Sequence, residues 1–134
     1  MIGGYLTFSG VGAQGKWWAT PVQEVLPVKL FPYDDRMEHC EGVCAEVLLP
    51  EHPVFAGIEG EWPPVLGYNK STIKPDAELA ATVCGDPFIA FGSYGEGKSA
   101  VFSSDCSPHW APPEFCNWKY YDVLFKSIID YIAK

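Results

Sequence analysis

The sequence predicts an α/β fold, a sandwich of helices on a mixed sheet. Three observations carry this prediction. Short apolar runs at 65–68, 77–84, 88–94 and 98–103 have the length and residue types of buried strands. The last two flank Gly95-Glu96-Gly97, a hairpin signal, because glycine supplies the positive φ of a tight turn. Tyr121, Leu124, Phe125, Ile128 and Ile132 recur at three- and four-residue spacing, which buries one face of a long closing helix.

The other elements follow in chain order. Met1-Ile2 has the character of a strand end, and Gly3-Gly4 supplies a permissive backbone for the sharp turn after it. A domain rarely begins at the end of a strand, so the chain is expected to start inside a larger domain. Residues 9–18 form a glycine-containing loop. Thr20 is placed as the N-cap and Pro21 as the first residue of a short helix over 22–26, which Pro27 ends. A strand is expected over 28–31, a charged loop over 33–42 and a strand over 43–49. His52-Pro53 opens a turn, and 54–58 is a single helical turn. Asn117 is placed as the cap of the closing helix over 118–132, with Asp122, Lys126 and Asp130 on its outer side.

Length and composition bound the function. The 134 residues fit one domain over 1–134, and 48% apolar with 19% charged residues is a globular composition. A net charge of −8 without any Lys/Arg run excludes a nucleic-acid or anionic-membrane surface, because phosphate binding needs clustered cations. No segment approaches the ~20 apolar residues of a membrane span. Five cysteines, an odd number, and an N-terminus without a secretory leader point to reduced thiols in a cytoplasm. Cys40 and Cys44 flank Glu41-Gly42-Val43 with no second pair at zinc spacing, so neither metal nor cofactor is expected. His39 and His52 are placed in loops as solvated side chains. Aromatic content of 15% suits a chain that assembles with its own copies.

The stretch Ser99 to Trp110 carries the densest chemistry. An apolar strand runs into Asp105, Cys106 and His109, the position where α/β proteins place ligand sites. Cys106 with His109 is a minimal thiolate pair, with Asp105 orienting the imidazole. The competing reading makes Cys106 a small buried hydrophobe and Asp105 a local turn cap. Trp110 lines a cleft or fills the core. Tyr68-Asn69 follows another strand end, where Asn69 either meets a polar ligand or forms a turn. The segment from Gly3 to Gly12 offers backbone N–H groups that can nest an anion. Gly10-Val11-Gly12-Ala13-Gln14-Gly15 matches Gly-x-Gly-x-x-Gly, but Trp17, Trp18 and Pro21 stand where the phosphate-binding helix would run, which favours a plain loop.

Several motifs resemble one family in order along the chain. They are Met-Ile-Gly-Gly-Tyr-Leu-Thr-Phe-Ser-Gly at 1–10, Glu-Val-Leu-Pro-Val at 24–28, Tyr-Asp-Asp-Arg at 33–36, Leu-Gly-Tyr-Asn at 66–69 and Ser-Asp-Cys-Ser-Pro-His-Trp at 104–110. The family is the class I glutamine amidotransferase-like proteins of bacterial cytoplasm. The resemblance implies a flavodoxin-like, three-layer fold of roughly twice this length, matched here in its C-terminal half. It also implies a limit on chemistry. Glutaminases of this class carry a catalytic Cys at a tight turn after a strand, and the matching turn Ile2-Gly3-Gly4-Tyr5-Leu6 has no Cys, Ser or Thr. Without that nucleophile no glutamyl thioester forms. The family's His-x-Glu pair is matched only at His109, since Trp110-Ala111 follows.

Three functions are therefore expected to compete. One is a degenerate amidotransferase-like module for a small polar molecule, with Gly3, Gly4, Tyr5, Tyr68, Asn69 and Trp110 around the ligand. Another is a hydrolase or transferase using Cys106, His109 and Asp105. The third is an assembly protein forming a homo-oligomer.

Overall fold

The computed structural model describes residues 1–134. A central antiparallel sheet has the order β3 (Glu46–Val47), β6 (Glu78–Val83), β7 (Asp86–Tyr94), β8 (Gly97–Phe102). Two antiparallel ribbons flank it: β1 (Val28–Leu30) with β5 (Ser71–Ile73), and β2 (Arg36–Val43) with β4 (Val65–Asn69). The helices are α1 (Val22–Val25), α2 (Pro113–Cys116) and α3 (Tyr121–Ile132). A parallel bridge joins Ile2 to Phe102: the Phe102 N–H donates to Met1 O at 3.0 Å and the Gly3 N–H to Phe102 O at 2.8 Å. All the strand pairings are antiparallel, so this bridge supplies the parallel part of the expected mixed sheet. Turns of two residues, Cys84-Gly85 and Gly95-Glu96, join successive strands of the main sheet, and connections that short permit only antiparallel neighbours.

Both faces of the β7–β8 hairpin are buried. Ile89, Phe91, Ala100 and Phe102 belong to a large cluster with Leu124 and Ile128 of α3. Ala90 and Val101, on the other face, pack with Phe8, Leu26, Val28 and Leu30. Strands covered on both sides lose their polar alternation, which explains the continuous apolar runs in the sequence. α3 buries Leu124 and Ile128 and half-buries Tyr121, Phe125 and Ile132, as the spacing requires.

Several local expectations need correction. Most of the expected 33–42 loop is strand: from Arg36 on, β2 is paired to β4 with partly exposed residues, and its charged side chains hid the pattern. The 43–49 strand shrinks to Glu46–Val47. Asn117 does not cap α3; its N–H closes α2 on Pro113 O at 2.9 Å, and α3 begins at Tyr121. Thr20 does not cap α1: its hydroxyl donates to Trp17 O at 2.8 Å, and Pro21 holds the cap position. Neither His39 nor His52 is a solvated loop residue. His39 sits in β2, while His52 is buried, accepts from the Val54 N–H at Nδ1 and lies 2.7 Å from Glu78 through Nε2.

The Cys84-Gly85 turn has φ +50 at Cys84 and +81 at Gly85. Two successive positive φ values favour Asn-Gly, and a Cys in the left-handed region costs about 1–2 kcal/mol. Replacing Cys84 with Asn is expected to raise the midpoint of thermal unfolding by a few degrees, read by circular dichroism. An unchanged or lowered midpoint would show that the turn carries no such strain.

Candidate functional site

The site grows from the glycine-rich segment after the Ile2 bridge. Gly3 packs directly beneath β8's continuation, so close that a Cβ would stand 2.8 Å from Asn69 Oδ1 and 2.5 Å from the Ser103 carbonyl carbon. Gly4 has φ +144, and a Cβ there would approach Asp105 Oδ1 at 2.8 Å. These two glycines let the first turn lie flat against the loop that follows β8.

Asn69 and Asp35 lock this turn. Asn69, with no exposed surface, accepts from the Gly4 N–H at 2.7 Å and donates through Nδ2 to Gly4 O at 3.2 Å and to Asp35 Oδ1 at 2.8 Å. Asp35, only 2% exposed, accepts from the Ser9 N–H at 2.8 Å and the Gly10 N–H at 2.9 Å. Burial pushes the Asp35 carboxyl above the usual carboxylate range, against the pull of the Asn69, Ser9 and Gly10 donors. Asp34 accepts from the Gly12 N–H at 2.8 Å and from Arg36 through Nε at 2.9 Å and Nη2 at 2.8 Å. The Arg36 guanidinium holds the Asp34 carboxyl well below the usual range. Part of the backbone nest expected between Gly3 and Gly12 is therefore filled by the protein's own side chains. Its N–H groups at Gly4, Ser9, Gly10 and Gly12 are satisfied from within, which leaves those of Tyr5 to Phe8 as the donors open to an anion.

Above this platform lies an acid–imidazole pair. His109 Nδ1 is 2.6 Å from Asp105 Oδ2. This contact occupies Nδ1 and leaves Nε2 as the ring nitrogen open to an approaching polar group. The ring lies between Tyr5, 4.3 Å away centroid to centroid, and Trp110, 4.9 Å away and stacked at 28°. Trp110 is 1% exposed and donates from Nε1 to Glu38 Oε2 at 2.9 Å. Its indole rests on β4, where a Cβ on Gly67 would stand 2.6 Å from Trp110 Cε2. Tyr5 is exposed, with the Arg36 guanidinium carbon 5.3 Å from its ring centre.

Two other expected site residues make different bonds. Cys106 is half-buried; no hydrogen bond links its thiol to His109, and its backbone carbonyl accepts from the Tyr121 hydroxyl. Tyr68 is 1% exposed and donates to Asp86 Oδ2 at 2.8 Å. Burial and the Asp86 carboxylate hold its hydroxyl above the usual phenol range. Asp35, Arg36 and Glu38 were not singled out in the sequence, although the adjacent acids of Tyr-Asp-Asp-Arg were the available signal. Thr7 adds a buried Oγ1 with no hydrogen-bond partner, 3.7 Å from a Cβ position on Gly4. A cavity of about 610 Å³ lies apart from this pair, among Cys44, Val47, Phe55, Ile58 and Trp62.

Layered strands and helices, with a polar cluster beyond the end of β8, make this a mixed α/β structure. Residues 1–134 match the family described as "Putative glutamine amidotransferase", and the chain belongs to that family. Two solved structures from Salmonella typhimurium are similar. One, titled cytoplasmic protein STM3548, is 45% identical with a TM-score of 0.95, covering 98% of this chain and 53% of that one. The other, titled cytoplasmic protein STM1381 from strain LT2, is 41% identical with a TM-score of 0.94, covering 98% of this chain and 54% of that one. The chain thus spans about half the length of these neighbours. Among curated proteins nothing matches the chain. No helix is long and apolar enough to cross a membrane.

Proposed function

We propose that the chain is a degenerate amidotransferase-like domain that binds a small polar molecule beside Asp105 and His109, without glutaminase chemistry. The carrying observation is the Asp105–His109 contact at 2.6 Å beside a turn, Gly3-Gly4-Tyr5, that has no nucleophile. The imidazole offers Nε2 to a hydroxyl or amine, while Tyr5 offers an aromatic face and Arg36 a cation at its rim. The unpartnered Thr7 hydroxyl supports a polar ligand, since a buried hydroxyl without a partner costs about 1–3 kcal/mol. Gly3, Gly4 and Asn69 act in this reading by holding the turn, and Trp110 by supporting the imidazole from below. The alternative, a hydrolase or transferase using Cys106, is weaker because no hydrogen bond links its thiol to His109, although the Asp105 contact alone is compatible with it. A flavodoxin-like frame, a cytoplasmic location and self-association remain part of the proposal; the titles of the similar structures support the location.

The purified chain is expected to release no ammonia from glutamine above background. A screen of polyols, sugars and amino acids by ligand-observed NMR is expected to give binders that His109→Ala loses. Ammonia release that disappears in Cys106→Ala would overturn the proposal, as would binders indifferent to His109.

A further inference from the structure

We infer that Cys84 and His39 form a thiol–imidazole pair that exchanges with low-molecular-weight disulfides, making Cys84 a site of reversible thiolation. The pair is separate from the Asp105–His109 contact and from Cys106.

Backbone geometry is the first support. Cys84 holds a left-handed conformation at φ +50, in a turn position that Asn, Asp or Gly fills at lower cost. Strained non-glycine residues concentrate where the direction of a side chain matters. Here the direction brings Cys84 Sγ to 4.0 Å from His39 Nε2. A neutral imidazole at that distance can take the thiol proton.

The imidazole is itself held in place. His39 stacks on Tyr68 with 5.8 Å between ring centres and 7° between planes. Tyr68 is fixed by its hydrogen bond to Asp86 Oδ2, so the platform under the imidazole is rigid. Lys70 Nζ lies 3.7 Å from the same Asp86 oxygen and is substantially exposed, which sets a cation beside the Tyr68–Asp86 pair. An anionic, peptidic disulfide is the reagent this combination suits. Cys84 is exposed, so such a reagent reaches it.

The exchange balances as follows. His39 accepts the Cys84 proton, and the thiolate attacks one sulfur of the small disulfide. A bond forms between Cys84 Sγ and that sulfur as the reagent's own S–S bond breaks. The departing thiolate takes the proton from the His39 imidazolium. Cys84 is oxidised to the disulfide level, and half of the reagent is reduced to a thiol.

Oxidised glutathione is the probe, applied to the reduced full chain near neutral pH with acid quenching and peptide mass mapping. Cys40 and Cys44 are also exposed thiols, without a bonded imidazole, and serve as internal references. Cys84 is expected to acquire the glutathionyl group about tenfold faster than either, in line with the dependence of exchange on the attacking thiolate. His39→Gln is expected to remove that advantage and leave Cys40 and Cys44 unchanged. Equal rates at the three thiols in the native chain would overturn the inference. So would a Cys84 rate that survives His39→Gln. If the variant does not fold, the comparison within the native chain decides alone.

Discussion

Alanine at position 3 is expected to cost at least about 3 kcal/mol, lowering the thermal midpoint by about 10 °C or more. The reason is where the added methyl would go. It would meet the Ser103 carbonyl carbon at 2.5 Å and Asn69 Oδ1 at 2.8 Å, and the Ser103 oxygen is closer still. Two of these three atoms are backbone, so no side-chain rotation relieves the clash. The same residue donates its N–H to Phe102 O in the parallel pairing, so moving Gly3 away also breaks that bond. Circular dichroism melts of the wild type and Gly3→Ala decide the matter. A change of less than ~1 kcal/mol would mean that the first turn can lift from β8 at little cost.

The β7–β8 hairpin and α3 were legible because each has a strong local signal. Gly95 supplies the turn at φ +59, and Leu124 and Ile128 recur at helical spacing. β2 was not legible, because Arg36, Glu38, His39 and Glu41 occupy a strand whose pairing partner, β4, lies far along the chain. Charged residues on a half-exposed strand carry no periodic apolar signal. The balance of strand directions was legible only in outline, since the direction of a neighbour depends on connection length as much as on residue type.

For the candidate site, the strand end before Asp105 was legible, and so was the availability of Asp105 as a partner for His109. What the sequence did not reveal is where the backbone donors of the glycine-rich segment are used. An N–H group that looks free for an anion is indistinguishable, in sequence, from one satisfied by a carboxylate about 25 positions on. Asp34 and Asp35 look like a solvated acidic pair next to Arg36. Only the fold shows that Asp35 faces inward to Ser9, Gly10 and Asn69 while Asp34 faces outward to Arg36 and Gly12.

Removing the inward carboxylate is the second large expected effect. Asp35→Ala leaves the Ser9 and Gly10 N–H groups and the Asn69 amide without their acceptor in a site that excludes water. Each orphaned donor costs about 1–3 kcal/mol, so a loss of about 3–5 kcal/mol is expected, measured by denaturant unfolding near neutral pH. Asp35→Asn keeps one acceptor oxygen and should cost about half as much. The two variants also separate burial from hydrogen bonding through pH. Because burial raises the folded-state affinity of Asp35 for its proton, the native state binds that proton more tightly than the unfolded state. The stability Asp35 contributes by this route is fully present below the ordinary value of 3.8 and is lost as pH rises through the higher folded value. The advantage of the wild type over Asp35→Asn should therefore widen as the solution is acidified from neutral toward pH 4, with other titrating groups common to both chains. An advantage that instead narrows on acidification would mean that the three donors outweigh burial and that the carboxylate, not the acid, is the form the fold prefers.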